Sequence, residues 1–477
     1  MLRRRIEGCL FGVVAVCLLP WLLLASACGA GRCLFARVSR APLLRVWRST
    51  SKRWFRIVVS GLDPLREVWR GEFECERAGV LWRYLVWIEV FNVLNMARGM
   101  LPQEHSRQRI LVAKLAHIGD SLHVVPFLRG LREQRPDVRI ELMVGPWCKT
   151  LAEQIPYANE TIVYAPHLMS FNRGDQRSCR GVWSELALLF RLRRRRYDVF
   201  VSSSTTSLVE LYLIFATCPR KWIGADPDMY LYESLSECAT VPYETKRYEA
   251  DRVASLLPLV GCKPIKATLE YRVSEGGRVF VQQMMESRGI GPQDRMVLIG
   301  PGAGWPGKQW LPERFAALAD IAVSEFGARV VLIGSAAERP LAERVARSMK
   351  CPSVIVAGET TLDQLAALIE RSELFIGNDS GPMHLAAALD VPTLVFFGPT
   401  PPAQWAPRGL QHVHLAQYDR CDGCWYWHPR ARCIHENRCM KAIELDDAAR
   451  ALREQLNALR NKVPGRHVTT GRKAITL

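Results

Sequence analysis

From residue 109 to residue 397, short apolar runs rich in β-branched residues alternate with amphipathic stretches. This alternation narrows the fold more than any other feature of the chain. Residues 110–115, 139–144, 161–164 and 198–202 read as strands, with one helix ending before Arg135-Pro136 and another ending in the arginines at 193–196. A more irregular stretch follows the helical residues at 244–260. A second series starts at Arg295, with strands at 296–300, 328–334, 354–356, 374–377 and 393–397 separated by helices at 312–326, 338–349, 362–371 and 382–389. Strands this apolar are buried on both faces, and helices between them supply the crossovers of a parallel sheet. The expected fold class is α/β, with two Rossmann-like domains in tandem and a cleft between them, at 108–275 and 276–459.

The segment FIGNDSGPMHLAAAL at 375–389 is the densest in chemistry. An apolar strand ends in a polar turn and an Ala-rich helix starts at once, with Pro382 suited to the first helical position. Free N–H groups and the positive end of the helix dipole then lie beside Asp379, Ser380, Gly381 and His384, which makes a cradle for a phosphate or diphosphate. Open α/β sheets hold ligands outside the carboxyl ends of their strands, where this turn lies. Another loop of that kind, IGPGAGWPGKQW at 299–310, brings Gly302, Gly304 and the cation Lys308. It matches neither the dinucleotide fingerprint nor a Walker loop. Glu338, in a third such loop, has two readings: a carboxylate for a ribose hydroxyl pair, or a first-turn helix residue. Asp120, in KLAHIGDSLH at 114–123, is either a helix cap or a general base for a bound hydroxyl.

Charge is unevenly spread. The net charge is +17, and residues 1–110 carry 18 Lys and Arg against 8 Asp and Glu. Arg and Trp interleave between Arg32 and Arg56, a pattern that suits an anionic lipid surface or nucleic acid. The neighbouring residues 8–31 carry no charge and are long enough to cross a bilayer, which favours lipid; no nucleic-acid partner is expected. A retained anchor at 1–31 is preferred over a cleaved signal peptide. Basic residues on both sides of it place the rest of the chain in the cytoplasm, at the inner membrane. Residues 32–107 read as a basic, Trp-rich amphipathic helical region, and 460–477 as a basic tail.

The 15 cysteines are not arranged as a secreted disulfide framework. Four of them, Cys421, Cys424, Cys433 and Cys439, have spacing loosely compatible with a structural zinc, the other reading being thiols or disulfides in a cap loop.

The segments KLAHIGDSLHVVPFLRGLRE, PGAGWPGKQWLPERF and NDSGPMHLAAALDVPTLVFFGPTPPAQWAP together resemble glycosyltransferase family 9, the lipopolysaccharide heptosyltransferases, over roughly residues 108–455. The resemblance implies a GT-B fold and an inverting, metal-independent transfer with no required cofactor. The sugar, a heptose by analogy, would pass from a nucleotide-diphospho-sugar such as ADP-heptose to a lipid-linked glycan such as the lipopolysaccharide core. It also implies Asp120 as catalytic base, Lys308 as catalytic cation, and a donor site of Gly302, Gly304, Lys308, Glu338, Asp379, Ser380, Gly381 and His384. The chain departs from the family pattern in residues 1–107, at the SSSTTS run of 202–207, and at His117 and Ile118. Two other classes compete: a nucleotide-sugar epimerase of GT-B architecture, which needs no membrane anchor, and a non-catalytic nucleotide-sugar-binding envelope scaffold, which needs no base.

Overall fold

In the computed structural model of the chain, residues 107–165, 179–205, 208–225, 238–241, 247–417, 433 and 435–461 are described. The expected anchor, the amphipathic region up to residue 106 and nearly all of the basic tail lie outside them. Among the described residues, no helix is long and apolar enough to cross a membrane.

Among the described residues, twelve strands form two six-stranded sheets. The first sheet contains β1 (Arg109–Lys114), β2 (Arg139–Val144), β3 (Glu160–Val163), β4 (Val199–Thr205), β5 (Lys221–Ala225) and β6 (Cys238–Val241), in the order β3-β2-β1-β4-β5-β6. The second contains β7 (Met296–Gly300), β8 (Arg329–Leu332), β9 (Ser353–Ile355), β10 (Leu374–Asn378), β11 (Thr393–Phe397) and β12 (His412–Ala416), in the order β12-β11-β10-β7-β8-β9. Every adjacent pair of the second sheet is parallel. Both orders are that of a doubly wound Rossmann sheet, in which the direction of winding reverses beside the first strand. In the second sheet that reversal lies between β7 and β10, and both strands are buried at all five positions. The expected parallel α/β architecture with two sheets is therefore present. Strands β5, β6 and β12 were not anticipated: each is an edge or next-to-edge strand, and β12 carries two histidines among its five residues.

By its contacts the chain divides into two compact units. One takes in residues 107–113, Asp137–Met143 and the described residues between 162 and 241. The other takes in Lys114–Pro136, Val144–Thr161 and the described residues from 247 onward.

Helices α1 (Ile118–Leu122), α2 (Val125–Gln134), α3 (Lys149–Glu153), α4 (Cys179–Arg195), α5 (Leu208–Thr217), α6 (Glu249–Ala254) and α7 (Glu275–Glu286) precede the second sheet. The single helix expected after β1 is thus two, broken at His123 and Val124, with Pro126 opening the second. Helices α8 (Pro312–Phe326), α9 (Arg339–Ser348), α10 (Leu362–Arg371), α11 (Gly381–Ala388), α12 (Pro402–Trp405), α13 (Arg438–Lys441) and α14 (Leu445–Arg460) complete the set. Their ends follow local rules. Pro312 opens α8 and Gly327 closes it at φ 65°, a left-handed conformation that glycine adopts without steric cost. The Thr361 hydroxyl caps α10 by accepting from the Gln364 N–H at 3.3 Å.

The core of the second unit is apolar and aromatic. Trp310 stacks on Phe396 with ring centroids 4.0 Å apart, and Phe315 meets both edge-on. The indole N–H of Trp310 donates to the Ile443 carbonyl at 2.9 Å, so the ring's one polar group is satisfied within the core.

Candidate active site

The site is assembled in the second unit, around the turn from β10 to α11. Asn378 ends β10, fully buried, and joins that strand to the glycine-rich loop after β7. Its amide donates to the carbonyls of Pro301 at 2.8 Å and Gly302 at 3.2 Å, and its Oδ1 accepts from the Trp310 N–H at 3.0 Å. The two loops that flank the winding reversal are thereby held as one piece. Sequence reading left Asn378 without a role, although its position at the end of a buried strand was a signal, since a buried amide must find partners.

Asp379 follows. Its Oδ2 accepts from Lys308 Nζ at 2.7 Å and from the Thr400 hydroxyl at 2.6 Å. Burial works to raise the Asp379 carboxyl, but the Lys308 ammonium, with His384 and Thr400, outweighs it and holds the carboxyl below its ordinary value. This ion pair fixes the Lys308 ammonium beside the first residues of α11. Ser380 is the N-cap of α11 in extended backbone, and its side chain makes no capping bond to the helix. A Cβ on Gly381 would meet the Ile118 side chain at 3.6 Å and the Gly119 nitrogen at 3.7 Å, so this glycine lies against α1.

His384 is buried in the first turns of α11, with Nε2 3.9 Å from Asp379 Oδ1 and Nδ1 3.2 Å from His123 Nε2. Burial lowers its pKa, against the pull of Asp379 and of Asp120. Helix α1 packs so tightly here that a Cβ on Gly119 would fall 2.4 Å from His384 Cδ2. Asp120, one residue on, accepts the His117 N–H at 3.2 Å and so caps its own helix, while its charge is felt by His384. Both readings of Asp120 are compatible with that geometry: a cap that uses one carboxylate oxygen leaves the other available.

A buried ionic group lies alongside. Glu249, on α6, accepts from Lys114 Nζ at 3.3 Å and from Arg252 at 2.5 and 2.8 Å. Burial works to raise the Glu249 carboxyl, but the two cations dominate and hold it far below its ordinary value. Lys114 opens the KLAHIGD motif, yet its partners come from a segment more than a hundred residues away, which local pattern does not reveal.

Glu338 is engaged in its own turn. Its Oε2 accepts from both the N–H and the hydroxyl of Ser335 at 2.8 Å, a capping box, while Oε1 would lie 2.1 Å from a Cβ on Gly302. A side chain at position 302 would therefore displace the end of the Glu338 side chain. Around Gly304 there is open space, with no atom within 4 Å of a Cβ placed there. Asp120, Gly302, Lys308, Asp379, Ser380, Gly381 and His384 thus belong to one unit, and Glu338 touches the same loop.

The cysteine cluster has a different outcome. Cys439 packs within the apolar core, and Cys433 Sγ accepts the Asn437 N–H at 3.3 Å, while Cys421 and Cys424 lie outside the described residues. Among the described residues, no group of three or more His, Cys, Asp or Glu side chains is placed to hold a metal ion, so the zinc reading of the cluster gains no support.

The chain is similar to known proteins. The family model described as glycosyltransferase family 9 (heptosyltransferase) matches residues 186–425. Lipopolysaccharide heptosyltransferase 2 of Salmonella typhimurium is 28% identical over 316 residues, which cover 62% of this chain and 84% of the relative. The protein of that name from Escherichia coli K12 is 28% identical over 311 residues, with the same coverage. Among solved structures, a glycosyl transferase family 9 protein from Veillonella parvula superposes with a TM-score of 0.61 at 22% identity, covering 73% of this chain and 97% of that one. The ADP-heptose lps heptosyltransferase II of E. coli superposes with a TM-score of 0.58 at 23% identity, covering 74% and 99%. At such identity the superpositions speak for the fold.

Proposed function

The chain belongs to glycosyltransferase family 9 (heptosyltransferase), and from that premise we propose that it transfers a heptose from ADP-heptose to a lipid-linked glycan of the lipopolysaccharide core. Support for the donor and acceptor comes from the names of the relatives, which include lipopolysaccharide heptosyltransferases 2 and 3 and an ADP-heptose heptosyltransferase. The observation that carries the reading is the gathering of a carboxylate, an anchored ammonium and a helix N-terminus in one unit: Asp120, Lys308 held by Asp379, and the start of α11.

In this mechanism the Asp120 carboxylate takes the proton from an acceptor hydroxyl as its oxygen attacks the anomeric carbon of the donor. The bond from that carbon to the diphosphate breaks in the same displacement, and nucleoside diphosphate leaves from the opposite face, so the configuration inverts. Charge that grows on the leaving oxygen is met by Lys308 and by the free N–H groups at the start of α11. An ammonium and a helix terminus supply positive charge where other glycosyltransferases use a divalent cation, so the transfer proceeds without metal. Gly304, with open space around it, lets the diphosphate approach the loop backbone, and Glu338 Oε1 is available for a ribose hydroxyl. The uncharged run of residues 8–31 anchors the enzyme in the inner membrane with its catalytic units in the cytoplasm, where nucleotide sugars are made.

The test is direct. The purified full chain is incubated with ADP-heptose and a heptose-deficient core glycolipid, and the lipid is examined by mass spectrometry. A gain of one heptose with stoichiometric ADP release is expected. Transfer from a different nucleotide sugar, with ADP-heptose left intact, would overturn the donor assignment.

A further inference from the structure

His123 is a buried polar residue of this unit that the transfer mechanism leaves unused. It is fully inaccessible to solvent, in the break between α1 and α2, with Tyr248 edge-on at 5.4 Å and Trp405 edge-on at 5.6 Å between ring centroids. One ring nitrogen, Nε2, is 3.2 Å from His384 Nδ1, and the other, Nδ1, has no hydrogen-bond partner. Burying an imidazole with half its polar capacity unmet is costly, so the one bond it makes should matter.

Two neutral rings that share one hydrogen bond have two arrangements. In the first, His123 Nε2–H donates to His384 Nδ1, and the proton of His384 sits on Nε2. In the second, His384 Nδ1–H donates to His123, and His384 Nε2 is a bare lone pair. The surroundings of His384 choose between them. Its Nε2 is 3.9 Å from Asp379 Oδ1, a carboxylate kept ionised by Lys308. A lone pair facing that oxygen is repelled, whereas an N–H is attracted. Both rings are held neutral, by burial first and for His123 by the neighbouring His384, so the doubly protonated form does not compete.

We propose that His123 is a positioning residue for the transfer reaction: by donating from Nε2 to His384 Nδ1 it works with Asp379 to hold the His384 proton on Nε2, the nitrogen facing Asp379 and the start of α11. His384 then presents a neutral N–H donor to the site where the diphosphate leaves, and Lys308 presents the charge. The consequence for catalysis rests on the transfer reading above; the tautomer does not. The close approach of Gly119 to His384 Cδ2 leaves the ring little room to turn over and exchange its nitrogens.

The test has a spectroscopic arm and a kinetic arm. In full chain labelled with 15N-histidine, the ring resonances of His384 are assigned by their loss in His384→Gln. The expected result is a proton on Nε2 in the unsubstituted protein and a weaker Nε2 preference, set by Asp379 alone, in His123→Leu. A proton on Nδ1 of His384 in the unsubstituted protein would overturn the proposal, and that measurement needs no variant at His123. In the kinetic arm, His123→Leu should lower kcat by about 10-fold or more with donor KM within about 3-fold, as expected when an orienting partner is lost. His123→Gln, whose amide can donate from nearly the same place, should recover most of kcat. Equal losses in the Leu and Gln variants, with the His384 tautomer unchanged in both, would show a packing role only and reject the proposal. Should the unsubstituted protein transfer no sugar, the function proposed above fails, while the tautomer result still decides the role of His123.

Discussion

Substituting Gly119 by alanine tests the packing on which the site depends. The added Cβ would lie 2.4 Å from His384 Cδ2, where ordinary contact begins at 3.4 Å, so about 1 Å of movement is required. Little can yield. The His384 ring is held by His123 on one nitrogen and faces Asp379 with the other, and its neighbours are buried. Overpacking of this kind costs about 1–3 kcal/mol. A shift of about 1 Å in a group that orients the reacting atoms typically lowers turnover by about 10²-fold. Urea denaturation should therefore show a lower midpoint with unchanged slope, and initial rates at saturating donor should fall far more than stability alone explains. Gly304→Ala is the control, since its Cβ meets nothing within 4 Å and free-enzyme stability should stay within about 0.5 kcal/mol. If the diphosphate approaches the loop backbone, this control should weaken donor binding without destabilising the protein. A Gly119→Ala protein with unaltered stability and turnover would refute the packing argument, because no such contact could then exist.

Asp120→Asn preserves the cap to the His117 N–H, since the amide oxygen can accept it, but removes the base. Turnover should fall by about 10²-fold or more with donor affinity nearly intact, measured by single-turnover kinetics and donor titration. Lys308→Ala leaves Asp379 buried beside no ammonium and should cost on the order of 3 kcal/mol at neutral pH. The pH dependence follows from the signs. With Lys308 present, the folded carboxyl lies below its unfolded value, so its stabilisation is present above the unfolded pKa and is lost as pH falls through the folded one. Without Lys308 burial dominates, the carboxyl rises and the contribution changes sign, so the stability gap between the proteins should narrow as pH falls from about 7 to about 4. His412, depressed to about 4 by burial, should make the unsubstituted protein lose stability as pH falls below about 6.5, and His412→Asn should flatten that limb of the denaturation profile. A chelator should leave sugar transfer unchanged; activity that vanishes with chelation and returns with a divalent cation would overturn the cradle mechanism.

Some of this protein was decided residue by residue along the chain. Strands β7, β10 and β11 are uninterrupted apolar runs between amphipathic helices, and such runs have few stable arrangements besides a covered parallel sheet. The start of α11 was legible because Pro382 and the polar turn before it act through bonds only a few residues long, as was the capping at Glu338, whose partner Ser335 is three residues away. The tertiary structure decided which distant groups meet. His123 reaches His384 across 261 positions, Lys114 reaches Glu249 across 135, and Asn378 ties in a loop 77 residues earlier. None of these pairings has a period or a spacing, because the crossovers of a parallel sheet bring residues together by topology rather than by repeat. The same holds for Gly119 and Gly302, which read locally as turn and loop residues. A Cβ at Gly119 would enter the volume of the buried His384 ring, and one at Gly302 would meet the carboxylate end of Glu338.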